Sequence, residues 1–486
     1  MLGNQADTIK MLSSKDLIPI MNHRLKEVTE VLDVPPSAAA ALMRENKWAK
    51  ERLFETFYND PDELLKSCGV LARSRNNNNN DGDKKPAAAA AASNGRSTRA
   101  SKKQQKRECG ICYDEDGFGP DEMFSMACGH EFCRDCWRGF LDVALTNGPV
   151  CIRQTCPEAG CKEIITEEEY QALAPDAYPK FQTYQLRNFV ECYPLTRWCP
   201  GPGCERVAVG TKKMLDAATT GGLVADCDTC ETQFCLQCGD EPHAPTGCRE
   251  LAAWNEKCKN ESETANWILA NTKSCPKCST RIEKNQGCNH MTCQSCRYEF
   301  CWICMGNWTD HGANTGGYYR CNKFDPSDDP ANMSDAAKAK RELDRYLHYY
   351  KRYHAHSEAE KFAKRQLKET AARMIILQEQ SDSGLWADVE FLKTANQQLV
   401  ECRRVLKYTY AFAYYMPLDM DDADNKAKKE RFEYHQEMLE RFTENLSELC
   451  EKPLAEMDRT DVVNQTRVVK NFLENVLRYV DEGLED

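Results

Sequence analysis

The cysteines constrain this chain more than any other feature. It has 28 of them in 486 residues, and all but Cys68, Cys402 and Cys450 fall between Cys109 and Cys321. The N-terminus, MLGNQADTIKML, lacks the basic flank and apolar stretch of a signal peptide. No apolar run approaches the ~20 residues that a membrane span needs. The expected compartment is therefore the cytosol and/or the nucleus, where thiols stay reduced and disulfides are rare. Metal ligation is the expected use of so many cysteines.

Zinc takes four thiolate or imidazole ligands in a tetrahedron, and paired ligands a few residues apart suit it. The spacing divides into three successive octets. The first is Cys109/Cys112, Cys128/His130, Cys133/Cys136 and Cys156/Cys161. The second is Cys199/Cys204, Cys227/Cys230, Cys235/Cys238 and His243/Cys248. The third is Cys275/Cys278, Cys293/Cys296, Cys301/Cys304 and His311/Cys321. Each octet holds ligands for two ions, so six zinc ions are expected. Modules this poor in apolar residues depend on the metal for much of their folding free energy.

Four cysteines of the stretch are left over: Cys151, Cys192, Cys258 and Cys288. Cys151 is a rival ligand for the first octet. Cys192 and Cys258 lie in helical patterns and read as packed thiols. Cys288 sits in GCNHMTC, inside the third octet, with the unassigned His290 two residues on. Cysteine beside histidine is the arrangement of nucleophilic sulfur chemistry, the imidazole assisting thiolate formation or deprotonating an incoming amine. Gly287 removes a side chain just before the sulfur, which eases the approach of a bulky partner. The alternative makes Cys288 the ligand and Cys293 the spare; the regular Cys293/Cys296 pair favours a free Cys288.

Chain length predicts two to four domains. Before residue 72, three amphipathic stretches, His23–Leu32, Ser37–Asn46 and Lys47–Tyr58, predict a small helical bundle. Ser37 is its second N-cap, and Val28, Val31, Leu32, Leu42, Trp48, Leu53 and Phe57 form its core. Residues 73–107 are low-complexity, polar and basic, and read as a solvated linker, with a nuclear signal or nucleic-acid patch as the alternative. From Ser334 onward the chain predicts four or five helices. Their apolar stretches begin at Leu343, Tyr346, Leu347, Tyr350 and Tyr353 and continue through Met374–Leu377, Phe391–Leu399, Val405–Tyr415 and Val468–Val480, with prolines only at Pro417 and Pro453. A net charge of −12 and a pI near 5.5 argue against nucleic acid as the main ligand.

The order of these modules resembles the RING-between-RING ubiquitin ligases. SETANWILANTKSCPKCSTRIEKNQGCNHMTC and EFCWICMGNW resemble the Ariadne subfamily closely. The resemblance implies a multidomain, mostly α fold with small zinc-stabilised α+β modules. These are a UBA-like bundle (1–72), the linker (73–107), a first RING (108–165), an IBR module with preceding helices (166–258), a catalytic second RING-like module (259–325) and an Ariadne helical domain (326–486). It implies that a ubiquitin-charged conjugating enzyme docks at Ile111. Ubiquitin then passes to Cys288 as a thioester and on to a substrate lysine, with His290 as base and Glu283 as a nearby acid. It also implies an autoinhibitory contact by Phe362 and Glu444, on separate helices, and recognition of cullin ligases carrying a ubiquitin-like modifier.

Three departures stand out. Lys162 occupies the position after the last RING ligand where many single-RING ligases carry arginine. VLDVPP replaces a Met-Gly-Phe-like ubiquitin-binding loop. Ala363 replaces an acidic residue at the inhibitory contact. Two other functions compete with this reading: a scaffold ligase that only positions the charged conjugating enzyme and has no use for Cys288, and a zinc-rich nucleic-acid-binding protein, whose basic stripe is missing outside the linker.

Overall fold

The computed structural model describes residues 8–70, 106–216, 221–261, 272–284, 288–311, 322, 324, 334–380, 390–416, 423–453 and 456–484. Gly287, Cys321, Pro417 and the linker up to residue 105 lie outside them. The chain forms two compact units, Met1–Leu215 with Ala225–Gly239, and Asp216–Val224 with Asp240–Asp486. Among the described residues, no helix is long and apolar enough to cross a membrane.

The first unit begins with strand β1 (Lys10–Leu12) and helix α1 (Ser14–Leu32). A capping box starts α1: the Asp16 carboxylate accepts from both the N–H and the hydroxyl of Ser13. Its buried stripe, Leu17, Met21, Leu25, Val28 and Leu32, runs at three- and four-residue spacing. Helices α2 (Pro36–Glu45), α3 (Lys50–Asn59) and α4 (Pro61–Ser67) follow. Pro35 holds the N-cap place and Pro36 the first turn of α2, so Ser37 is a buried helical residue and not the cap. Val31 is 49% exposed, against the expectation that it joins the core. Leu32 and Val34 of the VLDVPP loop are buried and pack in that core.

The bundle does not close on itself. Trp48 is fully buried against Phe189 with ring centroids 4.9 Å apart, and its indole N–H donates to Asn188 at 3.0 Å. Both partners lie on a later helix, Tyr178–Cys192, which also brings Leu186 and Val190 into the same core. Strand β1 pairs antiparallel with Val207–Val209, which pairs in turn with Thr196–Trp198. The UBA-like bundle and the start of the IBR thus share one core and one sheet.

The RING is built on a hairpin, β2 (Met123–Ser125) and β3 (Glu131–Cys133), followed by α5 (Arg134–Thr146). Trp137 of α5 is fully buried and donates to the Phe124 carbonyl at 3.0 Å. Lys106 and Arg107, expected in the linker, belong to this module: Arg107 bridges to Phe118 and ion-pairs with Glu131. Helix α6 (Glu167–Leu173) packs Tyr170 and Leu173 into the RING core, so it caps the RING and does not open the IBR. The next helix, Tyr178–Cys192, is α7.

The second unit carries α8 (Cys248–Asn260) and four long helices, α9 (Asp335–Gln380), α10 (Glu390–Tyr415), α11 (Ala423–Glu451) and α12 (Arg459–Asp481). On α10 the buried Ala395, Leu399, Cys402 and Leu406 face α11 and α12, where Leu439, Leu446, Val462, Val469 and Val476 complete the core. At the end of α9 only part of the expected apolar stretch is inside: Met374 is buried, whereas Ile375 and Ile376 are exposed. Trp254 of α8 is fully buried among Tyr346, Tyr349, Tyr410 and Tyr414. Deleting the C-terminal helices therefore strips the cover from an IBR-side tryptophan.

Gly69 is the tightest point of the first unit. Its φ is +70°, its carbonyl accepts from the Ile164 N–H at 2.8 Å, and an added Cβ would meet the Lys162 carbonyl oxygen at 2.1 Å. The left-handed conformation alone penalises an alanine by ~1–2 kcal/mol. Gly69→Ala should make the Ile164 amide exchange on the order of tenfold faster. Hydrogen exchange by mass spectrometry measures this, and unchanged protection would contradict it.

Candidate functional site

Zinc bonds to sulfur of ~2.3 Å put tetrahedral ligands about 3.8 Å apart. The described thiols meet that spacing. Cys109, Cys112, Cys133 and Cys136 gather in one group, and Cys128, His130, Cys156 and Cys161 in another, each with its ligand atoms within 4.8 Å of one another. The first and third pairs of the RING thus share one ion and the second and fourth share the other. Cys151 is buried outside both groups, and burial pushes its thiol up to about 11.

The later modules take consecutive pairs. Cys199, Cys204, Cys227 and Cys230 form one group, with sulfur pairs at 3.4 and 3.7 Å. Cys275, Cys278, Cys293 and Cys296 form another, with pairs at 3.6 Å. His243 lies 3.6 Å from Cys248, and His311 lies 3.2 Å from Cys304. These spacings fit zinc. The metal's contribution here is structural: it ties short hairpins that bury too little to stand alone.

The second RING-like module is two such hairpins. Thr272–Ser274 pairs with Arg281–Glu283, and His290–Thr292 pairs with Glu299–Cys301. Cys293 is the member that joins the metal group, and Cys288 stands outside it, just ahead of the third strand. Its sulfur accepts from the His290 main-chain N–H at 3.3 Å. The His290 ring lies flat on the Trp308 indole at 4.3 Å, with Nε2 3.2 Å from a Glu299 carboxylate oxygen. Glu283 shares with Cys288 and His290 a cleft of about 860 Å³, whose far wall is Glu448, Glu451 and Lys452 at the end of α11.

The same helix covers the sulfur. Glu444 of α11 is buried, and its carboxylate accepts from the Asn289 N–H at 2.9 Å and from Asn289 Nδ2 at 3.1 Å. Arg403 of α10, 1% exposed, donates to it at 2.7 Å. Cys288 is only 7% exposed. Burial first, and then the Glu444 carboxylate, push its pKa well above the ordinary thiol value; Arg403 and the His290 N–H pull the other way and are outweighed. Burial alone would raise Glu444, but the ion pair with Arg403 reverses this and holds it below the usual carboxylate range. The closed site therefore holds a neutral thiol against a charged carboxylate.

The structure thus brings Cys288, His290, Glu283 and Glu444 together. Phe362 is half-buried on α9 with the Arg365 guanidinium over its ring, and is not among the residues lining the cleft. Ala363 is buried in the core of the helical bundle. Ile111 is 42% exposed on the RING of the other unit. Sequence reasoning missed Asn289, Glu299, Trp308, Arg403 and Lys284. Trp308 and Glu299 stand in the stretch after Cys288, whereas nothing in sequence ties Arg403 to a cysteine 115 positions earlier.

Comparison with known proteins fits this geometry. The Ariadne domain family matches residues 344–478. Two IBR families match residues 179–248 and 270–316, and the UBA-like domain of the E3 ubiquitin-protein ligase ARIH1 matches residues 20–59. The E3 ubiquitin-protein ligase dbl4 of Schizosaccharomyces pombe is 37% identical, covering 98% of this chain and 88% of its own. The E3 ubiquitin-protein ligase ariadne-1 of Drosophila melanogaster is 32% identical, covering 98% and 89%.

The chain belongs to the Ariadne family of RING-between-RING E3 ubiquitin-protein ligases.

In an Ariadne ligase the conjugating enzyme, ubiquitin and a protein substrate are the partners. For this one, the buried thiol gives a direct test. Glu444→Ala removes a cause that raises the Cys288 thiol and leaves Arg403, which lowers it. Each pKa unit is about tenfold in thiolate. Iodoacetamide should therefore alkylate Cys288 at least about tenfold faster in the variant at neutral pH, followed by peptide mass spectrometry. An unchanged rate would contradict the electrostatic account.

Proposed function

We propose that this ligase accepts ubiquitin on Cys288 as a thioester, passes it to a substrate lysine, and is held inactive by α11. The observation that carries the reading is the position of Cys288. It lies outside the group of Cys275, Cys278, Cys293 and Cys296, beside His290, and next to a carboxylate supplied by the Ariadne domain.

Transfer from one thioester to another cysteine is close to thermoneutral, so its rate depends on thiolate availability and alignment. In the closed form both are withheld. In the open form the His290 imidazole, fixed by Trp308 and Glu299, takes the proton of the attacking lysine amine. Glu283, on the same cleft, adds negative charge that attracts the amine. Ile111, exposed between the first two RING ligands, receives the conjugating enzyme. The three octets hold six zinc ions, Cys321 completing the last. The UBA-like bundle recognises a modified cullin ligase, and such a partner opens the enzyme only by binding the open form better than the closed one. Phe362 supports closure from α9.

Cys288→Ala should abolish ligation while leaving conjugating-enzyme binding intact. Cys288→Ser should accumulate a ubiquitin oxyester that resists thiol reductants on a gel. Ligation at the normal rate by the alanine variant would favour the scaffold reading. His290→Ala should slow discharge to lysine more than loading of Cys288 in single-turnover assays; equal slowing of both steps would assign His290 a structural role. Elemental analysis should give about six zinc ions per chain, from four ligands per ion. A value near four would remove one octet.

A further inference from the structure

Asn289 is held by four hydrogen bonds in the closed site. Its main-chain N–H donates to Oε2 of the Glu444 carboxylate at 2.9 Å and its Nδ2 to the other oxygen, Oε1, at 3.1 Å. Its Oδ1 accepts from Lys284 Nζ at 2.8 Å, which fixes the amide with its nitrogen toward the carboxylate. Its main-chain carbonyl accepts from the Trp302 N–H at 2.9 Å. Asn289 is 2% exposed. The two N–H donors are therefore aimed at one carboxylate, beside the Cys288 sulfur, and the other two of the four hydrogen bonds are made within the catalytic module itself.

We infer that these two N–H groups of Asn289 are the oxyanion-binding site of the transfer reaction, and that Glu444 occupies it in the closed enzyme as a mimic of the reacting carboxyl group. The inference rests on the reading of Cys288 as the ubiquitin acceptor. When the Cys288 thiolate attacks the thioester of a charged conjugating enzyme, a carbon–sulfur bond forms at Cys288. The carbonyl π electrons move onto oxygen, and a tetrahedral oxyanion results. Collapse breaks the bond to the conjugating enzyme's sulfur, which leaves as a thiolate. In the second step a lysine amine attacks the Cys288 thioester, and the same oxygen again carries the charge. The amine proton goes to His290, and Cys288 leaves as a thiolate.

In both steps the charged oxygen sits one carbon from the Cys288 sulfur. The Glu444 carboxylate now lies on the N–H groups of the residue that follows that sulfur. Donors for such an oxygen need to lie 2.7–3.1 Å from where it develops and to be fixed in advance. The two distances to Glu444 match that range, and Lys284 and Trp302 supply the fixing. The Lys284 ammonium also polarises the amide, which strengthens Nδ2 as a donor. Lys284 is thus a positioning residue and Asn289 a catalytic one. Withdrawal of α10 and α11 removes Arg403 and Glu444 together. It leaves two donors unpaired beside a sulfur, and the thioester carbonyl of ubiquitin then satisfies them.

The test separates this role from a part in closure. A residue that only latches Glu444 would, when lost, raise both the exposure of Cys288 and the rate of transfer. The comparison is made in full-length protein carrying Glu444→Ala, where that latch is already gone. Adding Asn289→Ala or Asn289→Asp should slow single-turnover transfer from a charged conjugating enzyme to Cys288 on the order of 10²-fold. Alkylation of Cys288 by iodoacetamide should stay unchanged with Asn289→Ala, and the zinc content should stay unchanged with either variant. Transfer at the Glu444→Ala rate, or faster, overturns the inference. Should either Asn289 variant lose zinc, Lys284→Met decides: it leaves Asn289 in place and should slow transfer by a smaller factor, and no slowing overturns the inference. Cys288→Ala is run in parallel. If it still ligates, the acceptor reading itself fails. If it is dead while the Asn289 variants transfer normally, only the oxyanion assignment fails.

Discussion

A carboxylate buried against a thiol is unfavourable unless a cation is buried with it. The Arg403–Glu444 pair meets that condition, and the closed form of this ligase depends on it. Arg403 is 1% exposed and Glu444 3%, with 2.7 Å between them. Removing either partner of such a pair leaves an uncompensated buried charge, a loss of about 3–5 kcal/mol. Keeping both lets the Ariadne domain set a buried carboxylate on the residue beside Cys288. On the proposed reading, that anion stands where the reaction places one.

The neighbouring contacts are polar in the same way. Lys407 of α10 donates to Glu360 of α9 at 2.7 Å and to Glu241 of the IBR at 2.5 Å, and Tyr408 donates to Glu241 at 2.8 Å. Glu440, one turn before Glu444, accepts from the Tyr410 hydroxyl at 2.7 Å and faces His356 at 3.6 Å. Burial alone would raise Glu440, but His356 and Tyr410 hold it down at about 2. A seam of buried ion pairs is specific in register yet gains little over its solvated state, because desolvation offsets most of the attraction. Such a seam can close one site accurately and still open when a partner prefers the open form.

These polar seams also explain what sequence could and could not reveal. Ligand pairing in the zinc modules was legible because zinc fixes spacing along the chain. The stripes of α10 and α12 were legible because their buried faces are apolar at helical spacing. Helix α11 was not singled out, because its buried face carries Glu433, Gln436, Glu437, Glu440, Thr443, Glu444 and Ser447 among the leucines. Periodicity analysis reads such a face as solvent. The joining of the UBA-like bundle to Tyr178–Cys192 was hidden for another reason: Trp48 and Phe189 meet only in space. Cys288 stood out by ligand arithmetic and His290 by adjacency, but Arg403 and Asn289 owe their roles to a long-range contact that no local pattern encodes.

The central claim is that Cys288 is an acceptor of ubiquitin kept shut by Glu444. The most direct measurement is the single-turnover rate at which the full-length protein takes ubiquitin from a charged conjugating enzyme, read by intact mass and mapped to the modified residue. The account predicts a thiol-labile ubiquitin adduct on Cys288 that forms slowly in the natural chain and much faster with Glu444→Ala. An adduct at another residue, or equal rates in the two proteins with no partner present, would contradict it.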